Sequence, residues 1–469
     1  MKKKVLLLSA LAFAFSSAAH SEMTDIVIIG AGGAGMSAAI EAHNQGAKVI
    51  LLEKMAFAGG NTARAEAGLN AAGTDLQKAR GITDSPEMFY EDTMKGGRNI
   101  NNPDVVKTLT EHAKDSVVFL KENGADLADL TRTGGSRVDR THRPAGGVAA
   151  GSFIATALIK KVKTLDIDLR TNTSATDILK NDKGEVTGVK ATGKDGKTFT
   201  IDAKKVMITS GGFGANFDMI KQYDPKLVGF KTTNAPGSLG EGIKMATKLN
   251  AKLVDMEYIQ IHPSTVPGKG ILITEAVRGD GAIMINESGK RFVNELLTRD
   301  VVSQSILKQP GAHAYLIFND ELVNQNQATK SYFKQKLVAQ GDTPEALAKA
   351  INVDGKQLTQ TINTYSAAVK AKKDSEFDRD SMKLALDSGK YYAIEITPGI
   401  HHTMGGIAIN NKAQVLDVNG NVIPNLFAAG EAAGGVHGAN RLGGNSLADI
   451  VTYGRIGAAE AVKEIKAGQ

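Results

Sequence analysis

The feature that most constrains this chain lies between residues 25 and 53. Asp25-Ile-Val-Ile-Ile29 is a continuous apolar run that reads as a buried parallel strand, and it runs directly into Gly30-Ala-Gly32-Gly33-Ala34-Gly35. A helical stretch, Met36 to Gln45, follows, then a second strand, Ala47 to Leu52, which ends at Glu53, 23 residues after Gly30. In G-x-G-x-x-G, the first glycine makes the tight turn, the second lets the backbone approach a pyrophosphate, and the third lets helix pack on strand. The helix start offers unpaired N–H groups and a positive dipole end to phosphate, and a carboxylate at Glu53 can accept from ribose hydroxyls. Such a glycine pattern alone often marks only a turn. Strand, helix, strand and terminal acid in register read as a dinucleotide site.

A second segment decides which dinucleotide. Pro424-Asn-Leu-Phe-Ala-Ala-Gly430-Glu431 is a short apolar strand ending at a glycine and an acid. It is followed by Gly434, Gly435 and Gly438, then Asn440-Arg441-Leu-Gly443-Gly444-Asn445-Ser446-Leu447 and a helix through about Val462. A second strand–glycine–acid–helix unit suits a long cofactor that crosses the domain, and FAD has that length. Glu431 is placed to bind the ribityl chain. The helix starting near Ser446 is placed to stabilise the flavin edge that becomes anionic on reduction.

Composition removes several alternatives. The 469 residues contain no cysteine, which excludes disulfides, thiolate metal sites, iron–sulfur clusters and covalent haem of the C-x-x-C-H kind in this sequence. No H-E-x-x-H, H-x-x-H or acidic cluster indicates a metal. Lys2, Lys3 and Lys4 precede an 11-residue uncharged run, Val5 to Phe15, and then small residues, a secretory signal shape too short to span a bilayer. Residues 1–21 therefore read as a signal peptide, and the mature protein as periplasmic. Without those three lysines the formal charge falls from +6 to +3, too weak a balance to indicate nucleic acid or an anionic membrane. No stable membrane insertion is expected.

The chain then divides into a discontinuous α/β fold. Residues 22–256 form the first part of the nucleotide domain, with β-rich sequence from Ile167 to Ile208 and hairpin-turn signals at Asn181-Asp-Lys-Gly184 and Lys194-Asp-Gly-Lys197. Val206-Met-Ile-Thr-Ser-Gly211-Gly212 reads as a strand returning to a glycine turn beside the cofactor. Residues 257–402 change to mixed helices and short strands, including one lysine-rich helical run from Glu345 to Lys373, and residues 403–469 return to the first domain.

These motifs, with Gly59-Gly60-Asn61-Thr62, Ile261-His262-Pro263, Ile273-Thr274-Glu275-Ala-Val-Arg278-Gly279, Asn294-Glu295, Thr298-Arg299-Asp300, His401-His402-Thr-Met-Gly-Gly406 and His437-Gly-Ala-Asn-Arg441, appear in one order from about residue 23 to the end. In this the chain resembles the flavoprotein of the soluble periplasmic fumarate reductase (flavocytochrome c) family, without its haem domain. The resemblance implies a Rossmann-like, glutathione-reductase-like FAD domain with an inserted α+β clamp, or capping, domain. It implies FAD contacts at Gly30, Gly32, Gly33, Ala34, Gly35, Glu53, Lys54, Gly60, Asn61, Thr62, Ala67, Gly68, Gly212, Gly430, Glu431, Arg441, Ser446 and Leu447. Membrane-bound relatives attach FAD through a histidine after the second strand, whereas residues 59–73 here contain none, so FAD is expected to be non-covalent.

The resemblance further implies fumarate as substrate. His402 and Arg441 would hold one carboxylate and His262 and Thr274 the other, assisted by backbone near Glu275. Hydride would pass from flavin N5 to one alkene carbon, and a proton from Arg299 to the other, with Arg278 and Glu275 relaying protons to Arg299. Glu275 and Arg278 are three residues apart and meet if that segment is helical. From the residues alone, water or His262 is as good a donor, because a guanidinium has a pKa above about 12. Only the family assigns Arg299. With no cysteine in the sequence, electrons are expected from a separate periplasmic c-type cytochrome. Alternatives are a related reductase acting on urocanate, methacrylate or another acrylate, or a non-catalytic FAD-binding protein. The latter would have no use for Arg299, Arg278 and Glu275 together.

Overall fold

The computed structural model describes residues 22–468; the signal peptide read at residues 1–21 lies outside them. The first strand, Glu22–Ile29, sits at the centre of an eight-stranded sheet. It pairs in parallel with Val49–Leu52 on one side and Thr198–Ile208 on the other. Asp168–Arg170 extends one flank and Val422–Ala428 the other, both parallel. Ile26, Val27 and Ile28 are almost wholly buried, as a parallel strand covered on both faces requires. Helix Gly33–Asn44 and the carboxyl-terminal helix Asn445–Ala467 pack against each other beside this sheet.

Both hairpin signals form. Ser174–Lys180 pairs antiparallel with Val186–Thr192, which pairs antiparallel with Thr198–Ile208. Gly184 and Gly196 supply positive φ in the two turns. The return of chain 414–428 to the sheet made by residues 22–208 brings the two glycine-rich units together.

A second, antiparallel sheet is built between residues 259 and 403. Its order is Ile259–Thr265, Tyr391–Thr403, Ala314–Asn319, Ile283–Ile285, with Ala339–Gly341 also on the long strand. Gln260 lies opposite His402, and register shifts follow at Gln260/Ile261 and between His262 and Thr265.

Two helices differ from the sequence expectation. The run Glu345 to Lys373 is two helices, Pro344–Ala350 and Gly355–Ala371. Asn352 takes a positive φ between them, and Asp354 starts the second by accepting from Gln357 N at 2.8 Å. An N-cap aspartate restarts a helix where continuous periodicity had suggested none. The last helix runs to Ala467, beyond Val462. Among the described residues no helix is long and apolar enough to cross a membrane.

Candidate active site

Three glycines in the first turn are there for different reasons. Gly30 has φ +105°, which favours glycine. A Cβ on Gly35 would strike the Gly30 carbonyl and come within 2.7 Å of Thr209 Oγ1, so close helix-on-strand packing requires glycine. Gly32 has an ordinary φ of −77°, and a Cβ there would meet nothing within 4 Å among the described residues. Neither backbone strain nor packing explains it; the approach of a ligand to the backbone does. Gly33 N donates to Thr62 Oγ1 at 2.9 Å, yet no side chain caps the helix at Gly32 and its first turn holds no acid. Its positive end is left for an anion.

The far end repeats this arrangement. The helix Asn445–Ala467 starts at Gly444 with φ +85°, again without a side-chain cap or an acid in its first turn. Both helix starts border one cleft of about 1550 Å³, part of it open to solvent. Gly30, Gly32, Gly33, Ala34, Glu53, Lys54, Gly60, Asn61, Thr62, Ala67, Gly68, Glu431, Arg441, Ser446 and Leu447 all line it. Glu53 spends one lone pair of each oxygen, accepting from Ala31 N at 3.0 Å and Met55 N at 2.8 Å, and keeps the others for a ligand. Burial pushes its carboxyl up, as it does that of Glu431, which accepts from Thr403 N at 3.1 Å and Asn61 Nδ2 at 3.0 Å. Lys54 is paired with Glu241. Gly35, Gly212 and Gly430 stand behind the wall; Ser210 and Gly211 face the cleft in place of Gly212. A Cβ on Gly212 would strike Thr403 Oγ1 and then the Glu431 side chain, so that glycine leaves room for the acid and the threonine beside it.

The same cleft continues to His262, Thr274, Glu275, Arg299, His402 and Arg441. Arg299 begins a helix, Arg299–Leu307, laid on the strand Ile259–Thr265, where Ser303 Oγ donates to the Ile261 carbonyl at 3.2 Å. Arg299 donates from Nε and Nη2 to Glu275 Oε2, at 2.8 and 2.6 Å. Glu275 Oε1 accepts from Gly134 N at 2.8 Å and lies 3.4 Å from Arg278 Nη2. The short helix Ala276–Gly279 makes that three-residue spacing a contact. Arg278 itself does not border the cleft. It is fully buried behind Glu275, donating from Nη1 to the Glu295 carbonyl at 2.6 Å.

Sequence reasoning missed Gln260, which joins the two cleft arginines. Its Oε1 accepts from Arg299 Nη1 at 3.1 Å and Arg441 Nη2 at 3.2 Å, while its Nε2 donates to Asn440 Oδ1 and to the Arg441 carbonyl. The available signal was its place two residues before His262, on one face of a strand. His401 was passed over too. Its ring lies 5.0 Å from that of His262, and Nδ1 is 2.7 Å from Thr233 Oγ1.

Several buried polar atoms here have no hydrogen-bond partner among the described residues: His262 Nε2, both ring nitrogens of His402, one of which carries the proton of the neutral ring, and Arg441 Nε. His262 Nδ1 accepts from Ser264 N at 3.1 Å, which puts the proton on Nε2 and makes it a donor into the cleft. Burial, reinforced by neighbouring arginines, holds His262, His401 and His402 well below the usual histidine range, so they are neutral near pH 7. Burial alone would raise Glu275, but Arg299 and Arg278 outweigh it and hold the carboxyl at about 2. The guanidiniums of Arg299 and Arg441 both face this end of the cleft, with Glu275 held against Arg299. Buried polar atoms without partners beside two guanidiniums call for an anionic ligand.

A Gly-lined dinucleotide cleft between two uncapped helices, meeting an arginine-rich pocket, defines an FAD-dependent oxidoreductase. The family described as FAD binding domain matches residues 25–447. A protein from Shewanella frigidimarina named fumarate reductase (cytochrome) is 48% identical over 97% of this chain and 79% of its own length. A urocanate reductase from Eggerthella lenta is 35% identical over 93% of this chain and 74% of its own. The solved open conformation of a flavocytochrome c3 fumarate reductase superposes with a TM-score of 0.76, at 44% identity, over 94% of this chain and 78% of that one. The chain belongs to the fumarate reductase flavoprotein family, and its cofactor is FAD.

Proposed function

We propose that this protein reduces fumarate to succinate. The observation that carries this reading is the pocket's unpartnered donors, His402 and Arg441 Nε on one side and His262 Nε2 on the other, with the guanidiniums of Arg299 and Arg441 facing the same space. His402 and Arg441 bind one carboxylate; His262 and Thr274 bind the other. Bound FAD supplies the hydride. Arg299 spends three of its five N–H donors on Glu275 and Gln260, leaving one on each terminal nitrogen for the substrate. Arg299 gives its proton to the second alkene carbon as negative charge develops there, and Glu275, set between Arg299 and Arg278, returns a proton from Arg278, which solvent replaces. A neutral imidazole at His262 is a far weaker acid than its cation, which favours Arg299 over His262. Residues 257–402 act as the clamp over the flavin, and electrons come from a periplasmic c-type cytochrome through a small, transient interface.

Oxidation of reduced viologen, compared across fumarate, urocanate, methacrylate and cinnamate, tests the substrate. Fumarate is expected to turn over fastest; a monocarboxylate turning over faster would replace this reading with that of a related acrylate reductase. His402→Ala is expected to raise the KM for fumarate about tenfold, the loss of one charge-assisted contact, with flavin content unchanged. Equal loss of flavin and affinity would assign His402 a structural part. The flavin is non-covalent in this reading, so trichloroacetic acid should release the yellow colour, and colour retained in the precipitate would reject it.

A further inference from the structure

Glu66 lies in the cofactor loop one residue before Ala67 and Gly68, and faces the cleft. Tyr332 comes from the other sheet's surroundings, on helix Thr329–Lys334, and is 1% exposed. Neither has a part in the reaction described above. The Tyr332 hydroxyl donates to Glu66 Oε2 and accepts from Thr274 N at 2.9 Å. We propose that Glu66 and Tyr332 form a positioning clasp that sets the substrate-binding arm, Thr274 and Glu275, at a fixed distance from the flavin-binding loop.

The arm needs such a hold. Residues 271–274 form neither helix nor regular strand; Ile273 N to the Ser264 carbonyl and Val266 N to the Ile271 carbonyl, both at 2.9 Å, tie the residues before Thr274, and the Thr274 N–H itself is held by Tyr332. Thr274 Oγ1 accepts from Ala276 N at 3.3 Å, so its own hydroxyl proton stays free to donate to a substrate carboxylate. Where that proton points depends on where the backbone of Thr274 is held, and Tyr332 holds it. The row Glu66–Tyr332–Thr274 does not carry protons to substrate, because it ends on an amide N–H, which donates and does not accept. Burial pushes Glu66 up to about 7 and Tyr332 well above 10, so the phenol keeps its proton and remains the donor. Gln327 N to the Gly146 carbonyl at 3.1 Å and Ala328 N to the Gly147 carbonyl at 3.2 Å seat the start of the same helix on the first domain's chain. The clasp thus fixes the substrate arm to the cofactor side through one side chain.

This inference rests on the acrylate-reducing reading, and the experiment separates the two. Wild-type holoenzyme is first assayed with reduced viologen and the four acrylates above; no turnover of any would sink that reading. Tyr332→Phe and Glu66→Gln holoenzymes are then compared with wild type using its best substrate. Binding of the saturated product is followed in parallel by perturbation of the oxidised flavin spectrum. Tyr332→Phe is expected to weaken product binding and raise KM about tenfold, with kcat within about twofold and flavin content unchanged, the pattern of lost uniform binding. Glu66→Gln keeps a neutral acceptor for the phenol and is expected to change both about threefold. Wild-type product affinity in both variants, or loss of flavin in parallel with affinity, would overturn the clasp.

Discussion

Replacing Arg299 by alanine is expected to lower fumarate turnover with reduced viologen by about 10⁴-fold, the upper range for loss of a positioned general acid, while FAD stays bound. The geometry makes the effect specific. Arg299 reaches the cleft from a helix start, its fork held by Glu275 at 2.6 and 2.8 Å and by Gln260 at 3.1 Å, none of them a group on the cofactor side. Losing it removes the proposed proton donor and leaves Arg278 as the one arginine beside the buried Glu275, and breaking a buried pair costs about 3–5 kcal/mol of stability. The variant should therefore melt earlier yet purify yellow. Product binding, seen in the flavin spectrum, should persist because His262, His402 and Arg441 remain. Residual turnover above about one-hundredth of wild type would move the acid to water or another residue.

How much of this was legible beforehand depended on whether a residue's role is local in the chain. The first strand, its glycine turn, its helix and both hairpins follow from patterns local in the chain, and the structure forms them. Glu275 and Arg278 were legible as a pair because a helical turn fixes their spacing. Arg299 and Arg441 are far apart in sequence, and only the family resemblance placed them in one pocket; the structure ties both to Gln260 Oε1. Gln260 left only its place two residues before His262, and the register shift at Gln260/Ile261 blurs even that, since a strand glutamine is ordinary until two guanidiniums arrive from elsewhere. Tyr332 was equally silent, because its partners lie on a loop and an arm that meet only in the folded chain. Gly212 was legible as part of a glycine turn near the cofactor, but that its missing Cβ leaves room for Thr403 and Glu431 was not, since both come from far along the chain.

Gly32→Val should yield folded protein that purifies without colour. Valine suits the site on backbone grounds, since φ −77° and ψ −173° lie in the extended region that β-branched residues favour. Its Cβ enters open space, so the apoprotein loses no packing. The branched side chain would instead stand at the helix start, where the cofactor's pyrophosphate must come against the backbone N–H groups. Flavin loss then removes the stabilisation that a bound ligand confers, about 2.7 kcal/mol at a ligand concentration one hundred times its Kd, and Tm should fall by no more than wild-type protein loses when stripped of FAD. Gly35→Ala provides the contrast, because its methyl would collide with the Gly30 carbonyl and should cost the fold itself. Circular dichroism, flavin absorbance and Tm measured on both variants distinguish a glycine kept for a ligand from one kept for packing. A yellow Gly32→Val protein would show that this cleft does not hold the pyrophosphate at the first helix, and the placement of the flavin against Arg299 would fall with it.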